Sequence, residues 1–288
     1  MASAPGTLAA HDRPARKARA PGRLEGLRSF LESIGGVALL SQEVFTRGLR
    51  HVEWRLLLQQ LEHLGWRSLT IVNLIALFTG MVMALQMGIF LGKFGAKIYI
   101  SGVIGLAIIR ELGPTLCALM VGARAGAGIA AELGSMAVSE QLDALRALGA
   151  DPLRKLIVPR VLALILIVPA LTVVADTLGI IGGYIVAVAE LRVDSTFYFS
   201  SLFRGGWVVF GDVFSGLGKS VFFGYFIGII ACYNGVHVTG GADGVGRATT
   251  RTVVACSVTV LISDFFLTKL FILLPTYETV TALIQSGP

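Results

Sequence analysis

Five long stretches of this sequence contain few charged side chains, and they constrain the fold more than any other feature. Residues 68–91 carry no Asp, Glu, Lys or Arg, and about 20 apolar residues are enough for a helix to cross the hydrocarbon core of a bilayer. The other four stretches are residues 99–120, 156–188, 219–238 and 253–274. The pattern predicts an all-α membrane protein with five transmembrane helices.

The composition excludes an ordinary soluble domain. Of the 288 residues, 55% are hydrophobic and only 15% are charged, with a mean hydropathy of +0.77, whereas about a quarter of the residues in a soluble chain are charged. The formal net charge of +6 does not indicate nucleic-acid binding, because the basic residues lie mainly in the N-terminal tail and the loops, where membrane orientation places them. We expect no nucleic-acid partner.

Four segments are predicted along the chain. Residues 1–25 are rich in Ala, Pro, Gly and Arg, which predicts a disordered basic tail, with an organellar transit peptide as the alternative. Residues 26–67 begin with apolar side chains at helical spacing and predict an amphipathic helix in the membrane interface. These first apolar side chains are Leu27, Phe30, Leu31 and Ile34. Residues 68–275 are the predicted transmembrane domain, and residues 276–288 are a C-terminal tail.

The distribution of Lys and Arg predicts the orientation of the chain. The N-terminal tail, residues 122–160 and residues 239–251 hold most of the basic side chains, and short loops rich in Lys and Arg stay in the cytoplasm. The N-terminus is therefore expected in the cytoplasm. Five crossings then place the C-terminal tail on the opposite side of the membrane.

Several short motifs imitate ligand sites without meeting their requirements. Residues 215–220 resemble the end of a phosphate-binding loop, but Val213 stands where that motif requires glycine, and an apolar stretch follows. Residues 126–131 imitate a dinucleotide fingerprint, yet their small side chains are better explained by close helix packing. None of the four His has a second ligand at metal spacing, and the three Cys are expected as small buried side chains. We expect no metal site and no cofactor in this chain.

A short polar helix is predicted between the second and third apolar stretches, at residues 139–149. Ser139 is expected as its N-cap and Gly149 as its end. Three leucines fall on one stripe of this helix, and three charged side chains stand apart from it, so the helix is suited to dock on a soluble partner. A plain connecting turn is the alternative. The leucines are Leu142, Leu145 and Leu148, and the charged residues are Glu140, Asp143 and Arg146.

Ionisable side chains also occur within the apolar stretches, where a charge costs on the order of 3 kcal/mol and indicates a cavity or a partner. Arg110 and Glu111 are adjacent, so their side chains leave a helix about 100° apart, and one is expected to face a cavity while the other pairs elsewhere. The alternative is a pair of satisfied structural charges at a helix break, because Gly113-Pro114 follows. The remaining intramembrane charges are Asp176, Lys219, Asp264 and Lys269.

Four motifs, in this order, resemble the MlaE/YrbE-type permease family, the membrane subunits of ABC systems that move phospholipid between bacterial membranes. The motifs are residues 110–114 (Arg-Glu-Leu-Gly-Pro), 122–134, 140–159 and 247–253, and the resemblance covers about residues 45–275. It implies a permease of the bacterial inner membrane with a cytoplasmic N-terminus and a periplasmic C-terminal tail. Such a subunit is not itself an enzyme, since ATP and Mg are bound by a separate ATPase.

The resemblance also implies partners and site residues. The permease is expected to form a homodimer and to bind phospholipid. Its expected protein partners are a cytoplasmic ABC ATPase and a periplasmic lipid-binding protein with an MCE domain. Whether a small regulatory subunit also takes part is left open. The positions that match the lipid pocket of the family are Met83, Gln86, Phe90, Leu91, Phe94, Arg110 and Glu111. The positions that would couple the chain to its ATPase are Glu140, Leu142, Asp143, Leu145, Arg146 and Leu148.

Two other functions remain open from the residues alone. An ion-coupled secondary transporter or channel would use Arg110, Glu111 and Asp264 to relay charge across the membrane. A scaffold subunit would have no transport pathway of its own.

Overall fold

The computed structural model describes residues 23–48, 53–204 and 208–273, and these residues are helical apart from short connections, with no strand among them. The described helices are α1 (Arg23–Glu43), α2 (Trp54–Lys93), α3 (Lys97–Val138), α4 (Gln141–Ala147), α5 (Leu153–Ala189), α6 (Ser195–Arg204), α7 (Phe210–Val236) and α8 (Gly241–Leu273). By length and composition, α2, α3, α5, α7 and α8 can each cross a membrane. The predicted all-α fold with five spanning helices is confirmed.

The chain divides after Gly36 into a short N-terminal unit and a larger unit that holds the rest. Of the N-terminal unit, the structure describes residues 23–36, which are helical from Arg23 onward. The apolar helical stretch Ile34–Thr46 is too short to cross a bilayer. Most of the predicted N-terminal tail and all of the predicted C-terminal tail lie outside the described residues.

Three spanning helices begin well before the apolar stretches that predicted them. Helix α2 begins at Trp54, so the last part of the region predicted as interfacial is the start of the first spanning helix. Helix α7 begins at Phe210 instead of Lys219, and α8 begins at Gly241 instead of Val253. Hydropathy identifies the part of a helix that suits hydrocarbon, whereas the backbone hydrogen bonds of a helix continue through polar turns beyond it.

Helix α3 corrects the predicted end of the second span. The sequence places the end of the apolar stretch near Met120 and only the small residues after it at the end of a membrane helix, but the helix continues to Val138. It does not break at Gly113-Pro114, because a π-helical turn, Ile108–Leu112, precedes the proline and absorbs the disturbance. The alternative prediction was a pair of structural charges at a helix break, and its helix break is therefore wrong.

Glycines allow α2 and α5 to pack with their backbones in contact. A Cβ atom at Gly80 would overlap the carbonyl of Gly179, and one at Gly182 would overlap the carbonyl of Leu77. Close approach through small residues is typical of helix pairs in membranes. Gly179 and Gly182 of α5 are both buried, so this backbone contact lies inside the helix packing.

The small residues of α3 have a similar role where this helix meets α7 and α8. Gly122 and Gly126 lie against Ile227 of α7 and Cys256 of α8, as the sequence predicted for close helix packing. Gly128 differs from them, because a Cβ atom there would have no neighbouring atom within 4 Å. The three cysteines are buried and free, in agreement with their prediction as small core side chains.

Among the described residues between α5 and α7, Ser195–Arg204 form one short helix, α6. Tyr198 of α6 is completely buried and packs against Tyr184 and Phe199, with ring centroids 5.5 and 5.6 Å away. Burial raises the pKa of Tyr198 to about 12. This aromatic cluster attaches α6 to the end of α5.

Candidate functional site

A cluster of charged side chains surrounds the π-helical turn of α3. Pro114 has no N–H, so the carbonyl of Arg110, four residues earlier, lacks its usual helical donor. Lys219 of α7 supplies a replacement, since its Nζ donates to the Arg110 carbonyl at 3.0 Å. Pro114, which predicted a disturbed helix, thus leaves the Arg110 carbonyl to accept a hydrogen bond from the buried Lys219.

Lys219 is the centre of this cluster and its side chain is only 1% exposed. Its Nζ donates to Glu111 Oε2 at 2.7 Å and to Thr268 Oγ1 at 2.6 Å, and it lies 3.4 Å from Asp264 Oδ1. A charge buried in a membrane requires such partners. The cation therefore joins α3, α7 and α8 within the apolar part of the fold.

Arg110 forms a second ion pair with α7. Its Nε lies 3.2 Å from Asp212 Oδ1, and Asp212 is 1% exposed while the Arg110 side chain is 31% exposed. Asp212 also accepts a hydrogen bond from the backbone N–H of Val209 at 2.9 Å, which caps the start of α7. Arg110 is thus held at its Nε, and its side chain remains partly exposed.

The two ion pairs both connect α3 with α7, and they do so at two points along α7. Asp212 and Lys219 are seven residues apart, which places them two turns apart on one face of α7. Arg110 meets the acid and Glu111 meets the base. Contrary to the prediction that only one of the adjacent charges pairs elsewhere, both have partners within the chain.

Asp212 and Thr268 were missed by sequence reasoning. Asp212 lies outside the predicted apolar stretches, and only its position three residues into a helix could have identified it as a capping acid. Thr268 could have been found, because it follows Asp264 by one helical turn and therefore shares its face.

Asp176, another predicted intramembrane charge, lies on α5 against Gly113, and its Oδ1 has no hydrogen-bond partner within the described residues. Lys269 is exposed on α8. These two charges do not join the cluster around Lys219 through any described ion pair.

The other predicted lipid-binding residues lie near the end of α2. Phe90 and Phe94 are 56% and 70% exposed, and their ring centroids are 5.2 Å apart, as expected for residues one turn apart. Met83 is half-buried and Gln86 is exposed on the same helix. Leu91 instead packs inward, against a cluster that includes Ile108 of α3. The predicted pocket therefore divides into an aromatic group on α2 and a charged group that faces α7 and α8.

Helix α4 carries the residues predicted to couple the chain to an ATPase. Leu142 is 5% exposed and packs against the rest of the chain, Leu145 is half-buried, and Leu148 is 83% exposed. Asp143 and Arg146 form an exposed ion pair at 3.0 Å. The predicted leucine stripe is thus divided, because one end of it holds the helix in place and the other end stays open.

The ends of α4 differ in part from their prediction. Ser139 is not the N-cap, since its Oγ donates back to the Ser135 carbonyl of α3 at 2.7 Å. Glu140 precedes the helix with a φ of 58° and makes no side-chain cap. Gly149 does end the helix, with a φ of 75° that favours glycine.

An ion pair closes the segment that carries α4. Arg160, at the start of α5, is 3% exposed in its side chain, and its Nη2 lies 2.9 Å from Glu132 Oε1 near the end of α3. Its Nη1 also donates to the Leu156 carbonyl at 3.0 Å. The two helices that flank α4 are therefore tied together at its base.

Comparison with known proteins identifies the family. The family model described as Permease MlaE matches residues 57–270. A probable ABC transporter permease protein of Rickettsia felis is 42% identical over 243 residues, which are 84% of this chain and 93% of the relative. A probable ABC transporter permease protein of Synechocystis is 37% identical over 252 residues, covering 86% and 94% of the two chains.

A third relative has a more specific name. The intermembrane phospholipid transport system permease protein MlaE of Haemophilus influenzae is 39% identical over 216 residues, which are 75% of this chain and 82% of the relative. The family match covers the five spanning helices almost completely, including the charged cluster and α4. This multi-pass membrane protein therefore belongs to the MlaE permease family.

Proposed function

We propose that this chain is the membrane-spanning subunit of an ABC transporter that moves phospholipid between the inner and outer membranes, driven by ATP hydrolysis in a separate subunit. The family match and the names of the relatives support the permease role. The name of the Haemophilus relative supports phospholipid as the substrate class. ATP and Mg belong to the partner ATPase in this proposal, and this chain is not an enzyme.

One observation carries the lipid assignment: Arg110 is a cation in an apolar span that is held by Asp212 and remains 31% exposed. A guanidinium can donate to a phosphate while one of its nitrogens stays engaged with a carboxylate. The part of α3 just before Arg110 lines a cleft with Ala76 and Thr79 of α2. Exposed Phe90 and Phe94 lie about three turns or more further along α2 and would contact acyl chains there.

The same charges are used differently by an ion-coupled transporter, which requires carboxylates free to take up and release an ion. Glu111, Asp212 and Asp264 all lie beside a basic side chain in the structure. Ion pairs of this kind favour a supporting role for the three acids, whereas the partly exposed Arg110 can meet a ligand while it stays paired with Asp212.

Helix α4 is the proposed contact with the ATPase. Its Leu142 anchors it to the chain, while Leu148 and the Asp143–Arg146 pair are exposed. An exposed apolar residue beside paired charges suits a groove in a soluble partner. We place this face in the cytoplasm, together with the N-terminus, because the loops there carry most of the Lys and Arg.

The remaining partners follow from the resemblance to the family. We propose a homodimer in the bacterial inner membrane, because five helices leave little room to enclose a lipid with two chains. A periplasmic lipid-binding protein with an MCE domain would exchange phospholipid with it at the opposite end from α4.

The decisive experiment is co-purification of the chain with its ATPase from the native membrane. The exposed Asp143 is changed to Arg, and Asp243, an exposed acid at the start of α8, is changed to Arg as the matched control. Asp143→Arg should lose the ATPase while the chain still inserts, because it replaces the acid of an exposed ion pair with a like charge beside Arg146. Equal ATPase recovery in both variants would contradict docking through α4, and transport by the chain without any ATPase would favour an ion-coupled transporter.

A further inference from the structure

The ion pair between α3 and α5 at the base of α4 has one buried member. Arg160 of α5 is 3% exposed in its side chain, and its Nη2 lies 2.9 Å from Oε1 of the half-exposed Glu132 on α3. Its Nη1 donates to the Leu156 carbonyl at 3.0 Å, whereas its buried Nε has no hydrogen-bond partner among the residues that the structure describes. The guanidinium is therefore buried at a cost that its contacts offset only in part.

Stability alone does not account for such a pair. Removing charges from water is costly, and apolar residues of similar volume in the place of a buried ion pair often give equal or greater stability. An ion pair adds geometry instead, because charge-assisted hydrogen bonds hold two groups at a fixed distance, whereas apolar contacts are non-directional. Arg160 and Glu132 thus fix α5 relative to α3 more closely than apolar packing would.

Helix α4 is connected to α3 and α5 without continuing either of them. Glu140, before α4, has a φ of 58°, and Gly149, after it, has a φ of 75°. Left-handed backbone at these two positions interrupts the helix on each side. Leu142 is the buried residue of α4. A movement of α4 therefore reaches the spanning helices through side-chain contacts rather than along a continuous helix.

A cavity of about 250 Å³ lies where α4 meets α3 and α5. Leu142 lines it from α4, Leu133 from α3 and Ile157 from α5. Leu133 directly follows Glu132 in the sequence. Ile157 precedes Arg160 by three residues, which is nearly one helical turn. An inward push on Leu142 would therefore press between α3 and α5 close to the ion pair, and would separate the two helices if nothing held them together.

We propose that Arg160 and Glu132 are positioning residues for transport: they hold α3 and α5 together, so that the ATPase moves both helices as one body when it pushes on α4. Helix α3 extends from Lys97 to Val138, and it carries Arg110 22 residues before Glu132, about 33 Å along the helix. A displacement at Glu132 thus has a direct route to the charged cluster. Because this role gives α4 the ATPase as its partner, it rests on the proposed function.

The test uses the complex of the full chain with its native partners, reconstituted in phosphatidylglycerol vesicles. It measures how much fluorescent phosphatidylglycerol exchanges with the periplasmic lipid-binding protein for each ATP hydrolysed. Arg160→Met/Glu132→Met replaces the ion pair by apolar side chains of similar length. Arg154→Met is the matched control, because the exposed pair of Arg154 with Asp151 lies within one segment and joins no two helices.

The double variant should move about fivefold less phospholipid per ATP while it retains the wild-type amount of bound ATPase, because the push on α4 no longer moves the two helices together. The control should keep the wild-type ratio. Arg160→Met alone should lose as much as the double variant, since the two residues act as one pair and the second change finds no partner left. Further loss in the double variant would show two independent residues and overturn the proposal.

Thermal unfolding and ATPase co-purification separate coupling from stability and docking. A folded double variant with the wild-type ratio would overturn the proposal, and so would a double variant that fails to fold, since the pair would then act through stability. Loss of the ATPase from this variant would also overturn it, because the pair would then serve docking. A wild type that moves no phospholipid in response to ATP would instead contradict the proposed function, so the two failures are distinguishable.

Discussion

Replacing Lys219 by Met should destabilise the protein more than any other single change to an intramembrane charge. Met has a similar length but no charge, so Glu111 at 2.7 Å and Asp264 at 3.4 Å lose their shared cation. Removing one partner of a buried ion pair costs about 3 to 5 kcal/mol. Glu111 is 42% exposed and partly solvated, so we expect the lower end, about 3 kcal/mol, or roughly a 10²-fold change in the unfolding equilibrium.

The measurement is the free energy of unfolding in detergent micelles, from denaturant titration followed by far-ultraviolet circular dichroism. Lys269→Met, an exposed lysine on α8, is the control and should change this free energy by less than about 0.5 kcal/mol. Adding Glu111→Gln to Lys219→Met should restore about 1 kcal/mol, because it removes a carboxylate that has lost its partner. If Lys219→Met is no more destabilising than Lys269→Met, Lys219 does not hold the helices together and the reasoning fails.

Three other predictions address the lipid, the packing and the dimer. Arg110→Ala should weaken phospholipid binding by about 1.5 to 3 kcal/mol and leave the binding of uncharged lipids unchanged, whereas Phe90→Asp should weaken the binding of all lipids. Binding is measured by mass spectrometry of co-purified lipid. A normal phospholipid load in Arg110→Ala would show that this arginine has a purely structural role. Gly80→Val should lower the free energy of unfolding by about 1 to 3 kcal/mol because it forces α2 and α5 apart. The control Gly128→Val should leave this free energy nearly unchanged, and an equal loss in both variants would refute the backbone contact. A single cysteine at Met83 or Phe90 should give a crosslinked dimer if a central cavity is shared, and no crosslink anywhere along this face of an active protein would argue for separate pockets.

Hydropathy predicted the number of spanning helices correctly because each must bury about 20 residues in hydrocarbon. It did not predict where the helices end, as α3 illustrates. The apolar stretch ends near Met120, yet the helix continues to Val138 because intrahelical hydrogen bonds also form where a helix leaves the hydrocarbon. Pro114 read as a break, but a π-helical turn and the Lys219 side chain together accommodate it.

Charges within the spans were found from the sequence, but their partners were not. Lys219 was recognised as an isolated intramembrane cation, whereas its pairing with Glu111 depends on how α3 and α7 cross. Leu142 and Leu148 share a stripe on α4, and only the folded chain determines which of them is buried. Periodicity gives the face of a helix, and tertiary packing decides what that face contacts.

The order of charges along α7 selects one alignment of this helix with α3. Asp212 comes first and Lys219 two turns later, and they meet Arg110 and Glu111 respectively. Sliding α7 by two turns would bring Lys219 toward Arg110, and two cations facing each other in an apolar medium cost several kcal/mol. Gly216 of α7 favours the same alignment, since a Cβ atom there would overlap the carbonyl of Ile109 on α3, and sliding α7 would bring a residue with a side chain to this point. Because most of the other helix surfaces are apolar and alike, this pair of opposite charges restricts α7 to a single register against α3.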